Sequence, residues 1–374
     1  MYKKPYSIAV SKVAIDARES GTSTGRYTDK LVQYLHELKP PFKVVILTTA
    51  ERVKFMRKVA PSFKVVETRY KEFSFGEQLG FLKQLDGLKA DLVHFVMVQQ
   101  PILYQGKVVT TIQDLTTARF RNTAKNWLVF TIKQQVYKFV IYWTAHKSAT
   151  LIASTEYVKE DVARYASVNS RKIKVICLAA DKITVDPQPI VELEDKPFIL
   201  YVGRPQPHKN LDRLLEAFAI LRQSNPNLRL VLAGKKDMLY RRLEKQTKQD
   251  GIKNVIFTGF VSEEQLRWLY EQTTAYVFPS LSEGFGLPGL EAMVHGAPVV
   301  SSNATCLPEV YKDAAVYFDP TNIQEIADSV LSVLNNEKLR KHLIARGKVV
   351  SGSYSWKRMA EQTLGVYKEA LDQS

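Results

Sequence analysis

The segment "VFPSLSEGFGLPGLEAMVHG", residues 277–296, joins three local patterns that together indicate how the chain folds. An apolar, β-branched run comes first and a loop with Glu283 follows. A helical pattern then begins near Leu287, where Pro288 suits the first turn and Glu291 lies one turn inside. Gly284 and Gly286 let the backbone approach a ligand closely, and the free amides at the helix start favour negative charge. The segment therefore predicts a strand, a ligand-binding loop and a helix.

The same alternation of strand and helix patterns runs through the whole chain. Short β-branched runs without polar alternation are typical of strands that are buried on both faces of a parallel sheet. They lie at 43–49, 91–96, 107–114, 149–154, 198–203, 228–234, 255–260, 275–280 and 297–302. The intervening helical patterns are amphipathic, and the pattern after Ser262 opens with a capping box. Two doubly wound α/β domains are predicted, with ligands in a cleft at the carboxyl ends of the strands.

Length and composition support two domains of an ordinary globular protein. The 374 residues exceed the size at which one core usually stops growing, and 183–198 carries three prolines and an acidic cluster, as linkers do. The first residues read as a strand and not as a signal peptide. Cys177 and Cys306 match neither a disulfide framework nor a zinc spacing, which favours a cytoplasmic protein.

Positive charge is concentrated in the first half of the chain. Residues 1–187 contain 30 Lys and Arg against 16 Asp and Glu, which is +14 of the total net charge of +15. This asymmetry indicates an anionic partner such as a phospholipid surface, a phosphorylated acceptor or nucleic acid, or simply a soluble lysine-rich surface.

Two further loops follow predicted strands and suit phosphate. In "YVGRPQPHKN", Arg204 and Lys209 stand five positions apart, where two cations can clamp a diphosphate. In "ESGTSTGRYTDKLVQYL", Gly25 follows Ser23 and Thr24 at the start of a helix, a turn that can face phosphate. Each loop alone is weak evidence for a phosphate-binding site, because loop cations are usually solvated and such turns are common.

Taken together, these motifs closely resemble the large family of retaining glycosyltransferases called group 1 or family 4. The resemblance rests on "EGFGLPGLEAM" after "VFPS" and on "VGR…KN", and it extends through "DAR…TGRYT", "VVTTIQDL", "LIASTEYVKEDVARY" and "LPEVYKDAAVYFDP". It implies the GT-B fold, with two Rossmann-like parallel-sheet domains facing across a cleft. By this resemblance residues 1–187 bind the acceptor, residues 188–354 bind the nucleotide sugar, and a helix at 355–371 packs back on the first domain.

The resemblance also implies the reaction, which is transfer of a hexose from a nucleotide-diphosphate sugar with retention at the anomeric carbon. No metal or other cofactor is expected, and the sequence has no Asp-x-Asp pair. The donor-binding residues implied are Gly25, Arg204, Lys209, Glu283, Phe285, Gly286, Leu287 and Glu291, and the catalytic ones are Glu283, Arg204, Lys209 and Gln113. Arg204 and Lys209 hold the diphosphate, on which negative charge develops, Glu291 holds ribose, and Glu283 holds the sugar.

Gln113 departs from the family pattern, which commonly has a histidine beside the donor sugar at this position. Glutamine donates and accepts hydrogen bonds but carries no proton or charge. Three explanations stay open: Gln113 binds the sugar while the departing phosphate takes the acceptor's proton, another residue substitutes, or the protein is weakly active. Among the histidines, we expect His94 to be packed in the core and His208 to face solvent.

The acceptor is expected to be lipid-linked or a growing polysaccharide, at the cytoplasmic face of a membrane. Residues 51–60, as a helix, set cations on one side and Phe55, Met56 and Val59 on another, a candidate membrane face. The segment between Asp114 and Glu156 has six Lys or Arg and no carboxylate. Core packing is the expected reason for its aromatic residues, among them Trp127, Phe130, Phe139 and Trp143, which are interleaved with Lys125, Lys133 and Lys138.

Three rival readings remain. The first is another GT-B enzyme. The paired glutamates argue against an epimerase, and no lysine-anchored cofactor motif is evident for a phosphorylase. A nucleic-acid-binding protein explains the charge, but no recognition-helix, zinc or RNP signature is present, so no nucleic acid is expected. A catalytically silent sugar-nucleotide sensor would bind the donor without transfer.

Overall fold

The computed structural model describes residues 10–22, 24–72, 74–120 and 127–372. Within them the chain forms two β-sheets in which every strand pairing is parallel, joined by helices. The predicted doubly wound α/β architecture is confirmed.

The first sheet has seven strands among the described residues, in the order β3-β2-β1-β4-β5-β6-β7. Because β1 lies between β2 and β4, the strand order reverses at β1, and ligands bind beyond the carboxyl ends of strands at such a reversal. The strands are β1 (Lys12–Asp16), β2 (Lys43–Thr48), β3 (Lys64–Glu67), β4 (Leu92–Phe95), β5 (Val108–Ile112), β6 (Thr150–Ala153) and β7 (Ile173–Val175).

The second sheet repeats this arrangement with six strands, in the order β10-β9-β8-β11-β12-β13. Its order reverses at β8, which lies between β9 and β11. The strands are β8 (Phe198–Val202), β9 (Arg229–Ala233), β10 (Val255–Gly259), β11 (Ala275–Phe278), β12 (Val299–Ser302) and β13 (Ala315–Phe318). The loops after β8 and β11 therefore meet at the reversal, and these are the loops that carry the predicted cations and glutamates.

The helices follow the strands as the sequence pattern predicts, and the capping box at Ser262 is confirmed at the start of α9. Those of the first half are α1 (Gly25–Glu37), α2 (Val53–Val59), α3 (Leu82–Leu88), α4 (Thr116–Arg119), α5 (Trp127–Lys147) and α6 (Glu156–Ala166). Those of the second half are α7 (Leu211–Ser224), α8 (Met238–Gln249), α9 (Glu263–Gln272), α10 (Leu287–Val294), α11 (Leu307–Tyr311), α12 (Ile323–Leu334), α13 (Glu337–Gly352) and α14 (Trp356–Asp372).

The last helix, α14, packs on the first sheet's half of the molecule. Its Tyr367 hydroxyl lies 2.5 Å from His94 Nδ1, and Lys107 Nζ donates to the carbonyl of Ala370 at 2.7 Å. His94 is fully buried, as expected, and its Nε2 lies 2.8 Å from the Thr111 hydroxyl. The divisions at 187/188 and 354/355 stay predictions.

Acid is expected to weaken the folded state through His94. Burial lowers the pKa of its imidazole from 6.5 to about 3, so between these values the unfolded chain binds a proton that the folded chain does not. The contribution of His94 to the free energy of unfolding is complete above pH 6.5 and falls by about 1.4 kcal/mol per pH unit below it. Urea unfolding of the parent and of His94→Gln, measured between about pH 5 and 7, checks this. Equal pH slopes in the two proteins would exclude the effect.

The candidate membrane face at 51–60 is corrected by the structure. Met56 is fully buried in the core, and Phe55 and Val59 are partly buried against that core, whereas the cations Lys54, Arg57 and Lys58 are exposed. The apolar side of this helix is used for folding because it covers the first sheet. Among the described residues, no helix combines the length and apolarity required to cross a bilayer.

Candidate active site

The predicted cations follow β8 in a loop that ends in a short 3₁₀ turn, Pro207–Lys209. Arg204 is 59% exposed and donates to Asp237, the N-cap of α8, with Nη2 at 2.7 Å from Oδ2. Lys209 is largely buried, and its Nζ lies 2.5 Å from Glu283 Oε1. The two cations therefore differ: Arg204 is exposed and paired with Asp237, whereas Lys209 is held inside the loop cluster. Their predicted clamping of a diphosphate stays a prediction.

Asn210 positions Lys209. It adopts a left-handed backbone conformation with φ of 59°, and its amide nitrogen donates to the carbonyls of Pro279 at 3.1 Å and Pro320 at 2.7 Å. Because Pro279 belongs to the loop after β11, Asn210 fastens the cation loop to the glutamate loop. This residue was missed from the sequence, since its partners lie 69 and 110 residues away.

The glutamate loop is held by backbone contacts that leave the Glu283 carboxylate facing Lys209. The Glu283 amide donates to the Thr305 hydroxyl at 3.1 Å, and the Leu281 amide donates to the carbonyl of His208 at 2.7 Å. Gly286 has φ of 85°, a conformation that L side chains rarely adopt, and its carbonyl accepts from the Tyr311 hydroxyl. The turn thereby aims the chain into α10.

The helix α10 begins at Leu287 with proline in its first turn, and no side-chain oxygen caps this N-terminus in the described structure. The amides around Phe285, Gly286 and Leu287 therefore keep their capacity to bind an anion. Phe285 itself is buried edge-on against Tyr354, which fixes the turn and leaves its side chain no part in ligand contact.

Glu291, one turn into α10, pairs across the cleft with Arg26 of α1. Its other oxygen lies 3.5 Å from the Tyr270 hydroxyl. The Glu291 side chain is only 15% exposed while that of Arg26 is 44% exposed, so the carboxylate is the fixed member of the pair. Arg26 was not singled out from the sequence, although it stands next to the predicted Gly25.

Gly25 starts α1, and its amide donates to the Thr22 hydroxyl at 2.9 Å. A Cβ built on it would lie 1.7 Å from the carbonyl oxygen of Glu19, so the turn admits only glycine. Ser23, part of the predicted phosphate turn, lies outside the described residues. The tight turn at Gly25 comes directly before Arg26, which pairs with Glu291. The predicted approach of Gly25 to the donor diphosphate stays a prediction.

Gln113 follows β5 and brings the first half of the molecule against Gly284. Its side-chain amide lies 3.4 Å from the carbonyl of Thr24, and a Cβ on Gly284 would lie 2.0 Å from the carbonyl oxygen of Gln113. The Gly284 carbonyl accepts from the hydroxyls of Ser154 at 2.7 Å and Thr155 at 3.2 Å. The predicted residues of both halves thus converge.

Two titratable residues beside Lys209 and Glu283 complete the site. Burial raises the pKa of the Asp114 carboxyl, with the charge of Glu283 adding to the effect. Burial together with the charge of Lys209 lowers the pKa of His208 to about 4, so this imidazole is neutral at physiological pH. The expectation that His208 faces solvent is wrong: it is half-buried, because its ring packs 5.9 Å from that of Phe120 across the cleft.

A further contact joins the two halves at one side of the cleft. The carboxylate of Glu309, in α11, accepts the backbone N–H groups of Glu156 at 2.8 Å and Tyr157 at 2.9 Å. Glu309 therefore caps the N-terminus of α6, which belongs to the other half of the molecule.

Comparison with known proteins finds similarity to glycosyltransferases. The chain is 37% identical over 176 residues to O-antigen chain mannosyltransferase B of Escherichia coli. This match covers 46% of this chain and 45% of that protein. It is 31% identical over 246 residues to an uncharacterized glycosyltransferase of Methanocaldococcus jannaschii, covering 62% of this chain and 63% of the relative. The chain thus spans about half to two-thirds of the length of these curated relatives.

The fold itself is matched over both sheets. Sucrose-phosphate synthase from Thermosynechococcus elongatus superimposes with a TM-score of 0.77 at 17% identity, over 97% of this chain and all of that one. This likeness confirms the predicted GT-B fold. Residues 183–350, which hold the loops after β8 and β11, match the family model described as "Glycosyl transferases group 1". This is the family whose motifs the sequence resembles.

Proposed function

We propose that this protein transfers a hexose from a nucleotide-diphosphate sugar to a glycan or lipid-linked acceptor, with retention and without a metal. The observation that carries the proposal is the Lys209–Glu283 pair in the loops beside the uncapped N-terminus of α10, at the point where the second sheet reverses its strand order. Glu291 lies one turn further along this helix. The match of residues 183–350 to the group 1 model supports it.

In this proposal the donor diphosphate lies between Lys209, Arg204 and the amides of Phe285, Gly286 and Leu287. When the anomeric bond breaks, negative charge moves onto the leaving phosphate oxygen, and these fixed positive groups stabilise the transition state more than the bound substrate. The phosphate competes with Glu283 for Lys209, so the Glu283 carboxylate becomes available for a sugar hydroxyl. Glu291 correspondingly exchanges Arg26 for the ribose hydroxyls.

The acceptor is proposed to bind the first half of the molecule, at the cytoplasmic face of a membrane. The +14 charge of residues 1–187 supports an anionic or phosphate-bearing acceptor. The naming of the Escherichia coli relative as an O-antigen chain mannosyltransferase supports a growing polysaccharide and a hexose donor.

The proposal is tested by thermal-shift screening against a panel of nucleotide sugars, followed by a transfer assay with the donors that bind. We expect stabilisation by one class of sugar nucleotide, product with the donor's anomeric configuration by NMR, and activity that persists in EDTA. Donor binding without transfer or hydrolysis would instead favour a silent sensor. A complete lack of nucleotide-sugar binding would reject the proposal.

Gln113 is expected to bind the sugar, so its substitution by alanine and by histidine should affect turnover differently. Gln113→Ala removes a hydrogen bond and is expected to lower turnover by roughly tenfold. Gln113→His keeps a hydrogen-bonding side chain and is expected to keep or raise turnover. Steady-state kinetics measure the turnover of both variants. An alanine variant that transfers sugar as fast as the parent would show that Gln113 has no role in the reaction.

A further inference from the structure

The outer face of α5 carries large apolar side chains where a solvent-exposed helix normally carries polar ones. Val136 and Phe139 are each 52% exposed, Tyr142 is 48% exposed and Trp143 is 42% exposed. The core packing expected for the aromatic residues of this helix is therefore wrong for Phe139 and Trp143. The inward face already covers the core with Tyr137, Val140, Ile141 and Ala145. Trp127, Phe130 and Lys133 have side chains outside the described part, and Lys125 lies outside it altogether.

This surface continues beyond the helix. The Trp143 indole N–H donates to the carbonyl of Ile102 at 3.0 Å, and the next residue, Leu103, is 58% exposed. The Ile102 amide in turn donates to Gln78 at 2.9 Å, next to the exposed Leu79. We call this continuous surface the apolar face, and its members are Leu79, Leu103, Val136, Phe139, Tyr142 and Trp143.

Positive charge surrounds the apolar face. Its helix lies in the stretch between Asp114 and Glu156, which has no carboxylate, and Lys138 belongs to α5, whereas the Nζ of Lys147 is buried over the ring of Tyr104. Beside Leu79, exposed Arg69 and Lys83 line a cavity of about 360 Å³, to which Glu67 adds one carboxylate.

We propose that the apolar face docks this protein on an anionic lipid bilayer. Tyrosine and tryptophan side chains favour the interface between headgroups and hydrocarbon, and basic residues beside them add attraction to anionic lipid. A second copy of the chain fits less well, because an isologous contact through this face would bring together two halves that each carry a charge of +14.

The position of the face relates it to the cleft. The chain enters α5 from the segment of α4 and Phe120, and Phe120 contacts His208 at the cleft. The anchors lie in the second half of α5, which runs from the cleft back to the edge where β6 begins. A bilayer lying along α5 would therefore extend from these anchors to the cleft end of the helix, where the proposed lipid-linked acceptor would enter. In this respect the inference rests on the proposed function, whereas the docking itself requires no donor.

The test is flotation of the full chain with vesicles of phosphatidylglycerol and phosphatidylcholine in low-salt buffer, compared with vesicles of phosphatidylcholine alone. We expect binding to the mixed vesicles only. The double variant Leu103→Ser, Phe139→Ser is expected to lower that binding by about tenfold or more, because two exposed apolar anchors are removed. The matched control is Phe260→Ser, since Phe260 is 85% exposed but lies in the second half, and this variant is expected to bind as the parent does.

Any of three results would overturn the proposal: no binding of the parent to mixed vesicles, equal binding to phosphatidylcholine alone, or undiminished binding of the double variant. Self-association of the parent that the double variant loses, measured by analytical ultracentrifugation, would assign the face to a second copy and overturn it too. Donor thermal shifts on the same proteins separate the two proposals. Vesicle binding without any donor shift would reject the proposed transfer reaction and leave the docking surface standing.

Discussion

Replacing Lys209 by methionine is expected to lower the rate of sugar transfer by about 10²- to 10³-fold, the usual loss when one preorganised donor to a developing charge is removed. Lys209 is the largely buried cation of the pair, since it is paired with Glu283 and lies next to Asn210, which fixes the loop. Binding of a nucleoside diphosphate should weaken as well, because a charge-assisted hydrogen bond is lost. Single-turnover kinetics and calorimetric titration with the diphosphate measure the two effects.

The matched control for this change is Lys253→Met, an exposed lysine in the same half of the chain. It removes the same charge from the overall field, and we expect parental rates and affinity. A Lys209→Met protein that melts like the parent and transfers sugar as fast would show that the donor phosphate lies elsewhere.

Replacing Gly284 by alanine is expected to lower kcat by at least about 10²-fold, the effect of displacing reacting groups by 1 Å or so. The added methyl carbon would lie 2.0 Å from the Gln113 carbonyl oxygen and 2.9 Å from Asp114 Cβ. Since both obstacles belong to the other half of the molecule, the cleft must open to admit it. Nucleotide affinity should change little, because the side chains and the α10 amides proposed to hold the diphosphate lie in the second half.

This separation of turnover from affinity distinguishes a closure defect from a general loss of structure. Gly365→Ala is the control, since a Cβ at Gly365 in α14 meets nothing within 4 Å. Small-angle scattering should report a larger radius of gyration for Gly284→Ala than for either the parent or this control. Equal kcat for Gly284→Ala and the parent would mean that contact at Gly284 is not part of the working state.

The sequence predicts the central strands well because burial on both faces selects continuous apolar, β-branched runs. All five residues of β5 are buried, for example. The strands not predicted, β3, β7 and β13, lie at the sheet edges, where half-exposed residues interrupt such a run. The exposed face of α5 is not predicted, because apolar residues occur all round this helix and their pattern does not show which side meets solvent.

For the candidate site, the sequence predicts which loops follow strands, but it does not predict which residues of those loops contact each other. Lys209 and Glu283 were each selected from a local motif, and their direct pairing follows only from the neighbouring positions of β8 and β11. Arg26 was missed because its partner Glu291 lies 265 residues away in the chain. Asp114 is not predicted as a site residue, because its environment near Lys209 and Glu283 arises only when the two halves meet.

Because Glu309 caps α6 from the opposite half of the molecule, hydrogen exchange of the first backbone amides of that helix reports motion between the two halves. While the cleft is closed, the N–H groups of Glu156 and Tyr157 are bonded to a carboxylate from the opposite half, and they exchange with deuterium only when that carboxylate withdraws. Their exchange rate therefore reports the fraction of time that the molecule spends open, without any added probe. A ligand that holds the halves together would slow these two amides, whereas one that binds a single half would leave them unchanged.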